Sequence, residues 1–98
     1  MVEKENPNSK RAIITVLGAD RVGIIAGVTT TLAKLGINIL DISQTIMSNI
    51  FTMIMLVDIE KAEKPIHEII DELENEGKQL NVEIRFQLEE IFKTMHRI

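Results

Sequence analysis

The 98-residue chain contains no cysteine, no tryptophan and no tyrosine, with only three phenylalanines and two prolines. Without cysteine there is neither a disulfide framework nor a thiolate metal site, which suits a reducing, cytoplasmic setting. With so few rings, the core must be built from Ile, Leu, Val and Met. Phe51 alone does not make the aromatic platform on which an RNA-recognition sheet stacks bases. No apolar run approaches the ~20 residues that span a bilayer. The opening MVEKENPNSKR lacks the apolar segment of a secretory leader. An excess of base is missing too. Eleven Lys and Arg face fifteen Asp and Glu, for a net charge of -4, the wrong sign for binding a phosphate backbone. The expectation is a cytoplasmic protein with no membrane segment and no direct nucleic-acid partner.

What is present is 45% apolar residues in alternating periods, enough for one small domain. Residues 1–10 are polar and read as a disordered lead-in. Ala12 to Leu17 is apolar and β-branched, a strand inside a sheet. Ile24, Val28, Leu32 and Leu35 recur at helical spacing, with Ala26 and Ala33 as small packing positions. The spacing predicts a helix from about Arg21 to Leu35, capped by Asp20 and stopped by Gly36. In INILDISQTIM, Ile37 and Ile39 share one face and Leu40, Ile42, Gln44 and Ile46 the other. That slip of phase predicts a bulge. Ser48 and Asn49 supply a turn, so this strand and IFTMIMLVDI form a hairpin.

A second helix follows Pro65, with Ile66, Ile69, Ile70 and Leu73 on its apolar side and Gly77 as its stop. NVEIRFQL alternates cleanly, as an edge strand does. Leu88, Ile91, Phe92 and Met95 suggest a helix from about Glu89 to His96. The order β-α-β-β-α-β defines an α+β, ferredoxin-like sandwich: a four-stranded antiparallel sheet with two helices on one face. The predicted boundaries are a tail at 1–10, a domain at 11–87 and a C-terminal helix at 88–98. Apolar residues on both sheet faces call for a cover, either the tail helix or a second subunit.

The chemistry concentrates in GADRVGIIAGV, from Gly18 to Val28. A phosphate loop would follow Gly23 with lysine and a hydroxyl. Ile24 and Ile25 stand there instead. Three readings remain in play: an anion site, a cap, or a tight turn into a helix. A strand-to-helix turn aims free backbone N–H groups at one spot. Asp20 offers an acceptor for an ammonium group. Asn38, beginning the adjacent strand after the helix stop, offers a donor and an acceptor. Together they would complement an amino-acid zwitterion. As purely structural residues, Asp20 caps, Gly23 and Gly27 permit close packing, and Asn38 fills a turn. His67 and His96 read as solvated helix residues. Asp58, Glu60 and Glu63 lack the ligand spacing of a calcium loop. No nucleophile, base and orienting group stand together, so no enzyme, metal or cofactor is expected.

GADRVGIIAGV followed by LAKLGINILDISQT resembles an ACT domain over about Arg11 to Gln87. It is similar in particular to the small stand-alone ACT proteins of bacteria and archaea, and to one half of the two-ACT regulators related to the glycine-cleavage repressor. The resemblance implies a regulatory domain that binds a small effector, most plausibly an amino acid, pairs as a homodimer and acts on a separate protein partner. It implies ligand contacts at Asp20, Arg21, Val22, Gly23 and Ile24, and at Asn38 and Ile39. Gly23 and Ile24 would offer backbone donors. Asp20 and Asn38 would offer side chains. The resemblance also leaves open a ligand-free dimerisation or interaction module.

Overall fold

The computed structural model describes residues 10–19 and 23–90. Its elements are β1 (Arg11–Ala19), α1 (Ile24–Lys34), β2 (Asn38–Met47), β3 (Ile50–Asp58), α2 (Ile66–Leu80) and β4 (Val82–Leu88). The strands form one antiparallel sheet in the order β2-β3-β1-β4. This is the ferredoxin-like architecture the sequence predicts, with β1 inside and β4 at an edge.

Register explains where the core sits. Ala12 lies opposite Val57 and Leu88, Ile14 opposite Met55 and Phe86, and Val16 opposite Met53 and Ile84. Opposed residues point to the same side of a sheet. These side chains therefore share one face, where Ile24, Val28 and Leu32 of α1 and Ile69 and Leu73 of α2 join them in a single apolar cluster. Ile14, Val16, Met53, Met55 and Val57 have no exposed surface. The other face of the sheet carries Arg11, Ile13, Thr15 and Leu17 of β1 beside Thr52, Ile54, Leu56 and Asp58 of β3, and neither described helix lies over it.

Local chemistry sets the boundaries, and it corrects three expectations. First, α1 begins at Ile24 rather than Arg21. Gly23 holds the N-cap position with φ 95°, and no side chain among the described residues caps the helix; the expected cap, Asp20, lies outside the described residues. Second, Ala26 and Ala33 are exposed. The small packing position is Gly27, where a Cβ would stand 2.9 Å from Leu80 Cδ1 on α2. Third, Gly77 does not stop α2. The helix continues to Leu80 and ends at Asn81, whose φ of 61° is left-handed. Gly77 is buried instead because a Cβ there would stand 2.8 Å from the Val82 carbonyl oxygen.

Other expectations hold. Gly36 (φ 76°) ends α1. Its N–H donates to the Ala33 carbonyl at 3.1 Å, and Ile37 N–H donates to Leu32 at 3.0 Å. That is the paired closure of a Schellman motif. Ser48 and Asn49 both adopt positive φ, 50° and 67°, the twist that suits a two-residue hairpin. The register shifts between Ile39 and Asp41, so Leu40 is the bulged residue. The bulge changes the faces: Ile39, Ile42, Gln44 and Ile46 align with Val57, Met55, Met53 and Phe51. They share one face, whereas strict alternation divides them. Glu89 and Glu90 are helical; the rest of the expected C-terminal helix, with Ile91, Phe92, Met95 and His96, lies outside the described residues.

Candidate functional site

The three glycines of GADRVGIIAGV do three different things. At Gly18 a Cβ would come within 2.5 Å of Val82 Cγ1, so this glycine lets β1 and β4 approach. Gly27 lets α1 lie against α2. Of the three, Gly23 alone has nothing among the described residues within 4 Å of an added Cβ. Its left-handed φ turns the chain into the helix, a conformation that costs any L side chain about 1–2 kcal/mol. The first helical hydrogen bond runs from Gly27 N–H to the Gly23 carbonyl at 2.9 Å. The amides of Ile24 and Ile25 therefore precede the helical ladder and point out at the positive end of the helix dipole. Ile24 contributes only this backbone group, because its side chain is 1% exposed in the core. Asp20, Arg21 and Val22 lie outside the described residues.

Asn38 and Ile39 are somewhere else. β2 is not adjacent to β1; β3 lies between them. Asn38 stands opposite Asp58, which in turn stands opposite Arg11 at the start of β1. Gly23 follows the other end of that nine-residue strand. At about 3.4 Å per residue, roughly 25 Å of strand separates the two levels. Within one chain the structure brings Gly23 and Ile24 together, and Asn38 and Ile39 together, but not the two pairs. Ile39 is half-buried and faces the core, while Asn38 is exposed.

Around Asn38 lies a shallow hollow of about 250 Å³, lined also by Gly36, Asp58 and Lys61. It presents an amide, a carboxylate and an ammonium. One Asp58 oxygen accepts the Glu60 N–H at 2.9 Å, which fixes the carboxylate at the strand end. Sequence reasoning missed Asp58 and Lys61 as neighbours of Asn38. The signal was available: a hairpin turning at Ser48–Asn49, offset by one bulged residue, sets Asn38 opposite Asp58.

Elsewhere, a hollow of about 650 Å³ follows the β4 edge between Ile13 and Arg85 on one side and Ile70 and Glu74 on the other; it is lined by none of the predicted contacts. His67 is 77% exposed, 3.9 Å from the Glu68 carboxylate. Among the described residues no three His, Cys, Asp or Glu side chains are placed to hold a metal ion, and no helix is long and apolar enough to cross a membrane. Lys64 and Glu72 form an exposed 2.8 Å ion pair on the outer side of α2. The hydrogen bond and charge of Glu72 raise the Lys64 pKa, and those of Lys64 lower that of Glu72.

A four-stranded antiparallel sheet in βαββαβ order, with a glycine N-cap after β1, defines a small ferredoxin-like α+β domain. Comparison with known proteins makes it particular. The family model for the ACT domain matches residues 10–87, and the chain belongs to this family, whose members are generally ligand-binding regulatory domains. A UPF0237 protein of Pyrobaculum aerophilum is 53% identical over 87 residues, 89% of this chain and 97% of its own length. Among solved structures, an ACT domain protein from Streptococcus pneumoniae superposes with a TM-score of 0.78 at 43% identity, covering 88% of this chain and 97% of that one. A candidate glycine cleavage system transcriptional repressor superposes with a TM-score of 0.70 at 25% identity, covering 83% of this chain and 46% of that one.

Proposed function

We propose that this ACT domain is a non-catalytic, cytoplasmic sensor of a small amino acid, formed by two copies paired along β2 and acting on a separate protein partner. The observation that carries the reading is the open N-cap at Gly23, a built turn with outward amides and no capping side chain among the described residues. Such a turn suits a carboxylate.

Pairing supplies the rest of the site. β2 is an edge strand, and Ile42 and Ile46 on it are 39% and 57% exposed. If two β2 edges meet antiparallel about a two-fold axis, the Asn38 end of one copy lies level with the Gly23 end of the other. The 25 Å separation within a chain then becomes proximity between chains. Asp20 to Ile24 of one copy and Asn38 and Ile39 of the other would hold the ligand, with Asp58 and Lys61 at the rim. Ligand favours the paired geometry, and a partner that reads that geometry is regulated by linkage.

The test is thermal unfolding against each common amino acid at millimolar concentration. Ligand at a hundred times its Kd adds about 2.7 kcal/mol, which for a domain of this size moves Tm on the order of 10 °C. A selective shift supports the sensor. A flat panel favours the second reading, a ligand-free interaction module, for which the exposed Ile46, Met47, Ile50 and Ile54 of the β2–β3 hairpin speak.

A further inference from the structure

Three isoleucines beside the β2 edge are exposed on the helix side of the sheet: Ile25 by 38%, Ile42 by 39% and Ile46 by 57%. Register and helical geometry put two of them next to the Gly23 turn. Ile46 stands opposite Phe51, and Phe51 opposite Gly18, in the strand that leads to Gly23. Phe51 is buried in the core, so Ile46 points to the side on which α1 lies. Gly27 faces α2, because a Cβ there would meet Leu80. Ile25 is two residues from Gly27, about 160° round the helix, and so faces away from α2. α2 packs against β4, at the opposite edge of the sheet from β2. Away from α2 is therefore towards β2. Ile25 in the first turn of α1 and Ile46 near the end of β2 border one apolar shelf, beside the amides that precede the helical ladder.

Resting on the amino-acid reading above, we propose that this shelf receives the side chain of the effector, and that the effector is an amino acid with an aliphatic side chain, of the size of valine, leucine, isoleucine or methionine.

Charge points to the same class. Lys34 is the only charged residue of α1 and Asp41 the only one of β2. Lys34 is the last residue of its helix, at the end away from Gly23. Asp41 stands opposite Leu56, which stands opposite Ile13, on the sheet face away from both helices. The polar neighbours of the shelf on these two elements are uncharged. Gln44 shares the helix side of β2 with Ile42 and Ile46. Thr29 lies one turn on from Ile25, and its hydroxyl donates to the Ile25 carbonyl at 2.8 Å. Neither α1 nor β2 therefore offers a counter-charge to a side-chain carboxylate or ammonium on the shelf. A charged side chain placed there loses water and gains no partner from them. An aliphatic one gains about fourfold in affinity for each methylene buried. The amides take the α-carboxylate of any amino acid, so selection among side chains falls to the shelf. Pairing along β2 divides the isoleucines. Ile42, in the middle of the strand, meets the other copy, whereas Ile46, one position from its end, borders the ligand.

The test is calorimetric titration of the full chain with each common amino acid, repeated on Ile25→Ala and Ile25→Leu. Both variants change a side chain on the outside of α1 and keep its backbone amide; circular dichroism verifies that they fold. The expected result is affinity that rises from alanine through valine to leucine by at least about tenfold, with aspartate and lysine among the weakest. In Ile25→Ala the advantage of leucine over alanine should shrink by at least about fourfold, the loss of one buried methylene, and Ile25→Leu should retain it. Preferred binding of serine, aspartate or lysine, or equal affinity across the panel, would overturn the aliphatic class and leave the amino-acid reading standing. An aliphatic preference unaltered in Ile25→Ala would overturn the shelf. Absence of binding by every amino acid would overturn both readings together.

Discussion

β1 and β2 carry comparable apolar sequences and meet opposite fates. In β1, Ala12, Ile14 and Val16 are wholly buried. In β2, every residue from Asp41 to Met47 is exposed, although Ile42 and Ile46 point to the same side as Met55 and Phe51. The difference lies in what covers each strand. Both helices pack over β1 and its neighbours, and neither reaches the far edge. A strand's apolar content therefore does not say whether its own chain buries it. The β2 edge is the surface that the pairing proposed above would cover.

The comparison breaks most violently in the core. Met55→Ala should cost about 2–5 kcal/mol, lowering Tm by more than about 10 °C in a thermal melt. An equivalent loss from Ile46→Ala in dilute, monomeric protein would erase the distinction between the strands. Gly18→Val comes next. It forces a side chain into the 2.5 Å approach to Val82 and should cost about 1–3 kcal/mol, read by urea denaturation.

Ile46→Lys sharpens the contrast from the other side. It should leave the circular dichroism spectrum unchanged while shifting the sedimentation coefficient from a dimer to a monomer, if β2 is the pairing edge. Asn38→Ala should weaken binding of the effector at least about tenfold, the loss of roughly one charge-assisted hydrogen bond, and leave Tm without ligand unaltered.

The smallest effect belongs to Lys64→Met. Glu72 titrates below its ordinary value of 4.5 because of Lys64, so its contribution is present above that value and fades as pH falls through the depressed one. Lys64 titrates above 10.5, so its share is lost only as pH rises through that raised value. Both side chains are 46% exposed, and solvent screens them. The variant should be at most slightly less stable than the parent across the neutral range, and the difference should vanish at acid and alkaline extremes, where the parent has lost the pair as well.

Much of this was legible beforehand, and the failures are instructive. The bulge at Leu40 was readable from the slip of apolar phase, and the hairpin turn from Ser48 and Asn49. The role of Gly77 was not, because a glycine that ends a helix and one that admits a neighbouring carbonyl look alike in one dimension. Gly23 reads both as a packing residue and as a backbone donor in the sequence, and its φ of 95° marks it as the helix N-cap. For the candidate site, residue types were readable and their distance was not. Gly23 and Asn38 are close in sequence, joined by one helix, and that helix carries them to opposite ends of the sheet.

The most direct test of a site shared between two copies is complementation. Gly23→Val and Asn38→Ala proteins would each be titrated calorimetrically with the amino acid that most raises Tm, then mixed, allowed to exchange subunits and titrated again. A shared site predicts weak binding for each alone and recovered tight binding in the mixture, since each hetero-pair holds one sound site and one doubly altered one. A mixture that binds no better than its components would contradict it and return the ligand to a single chain.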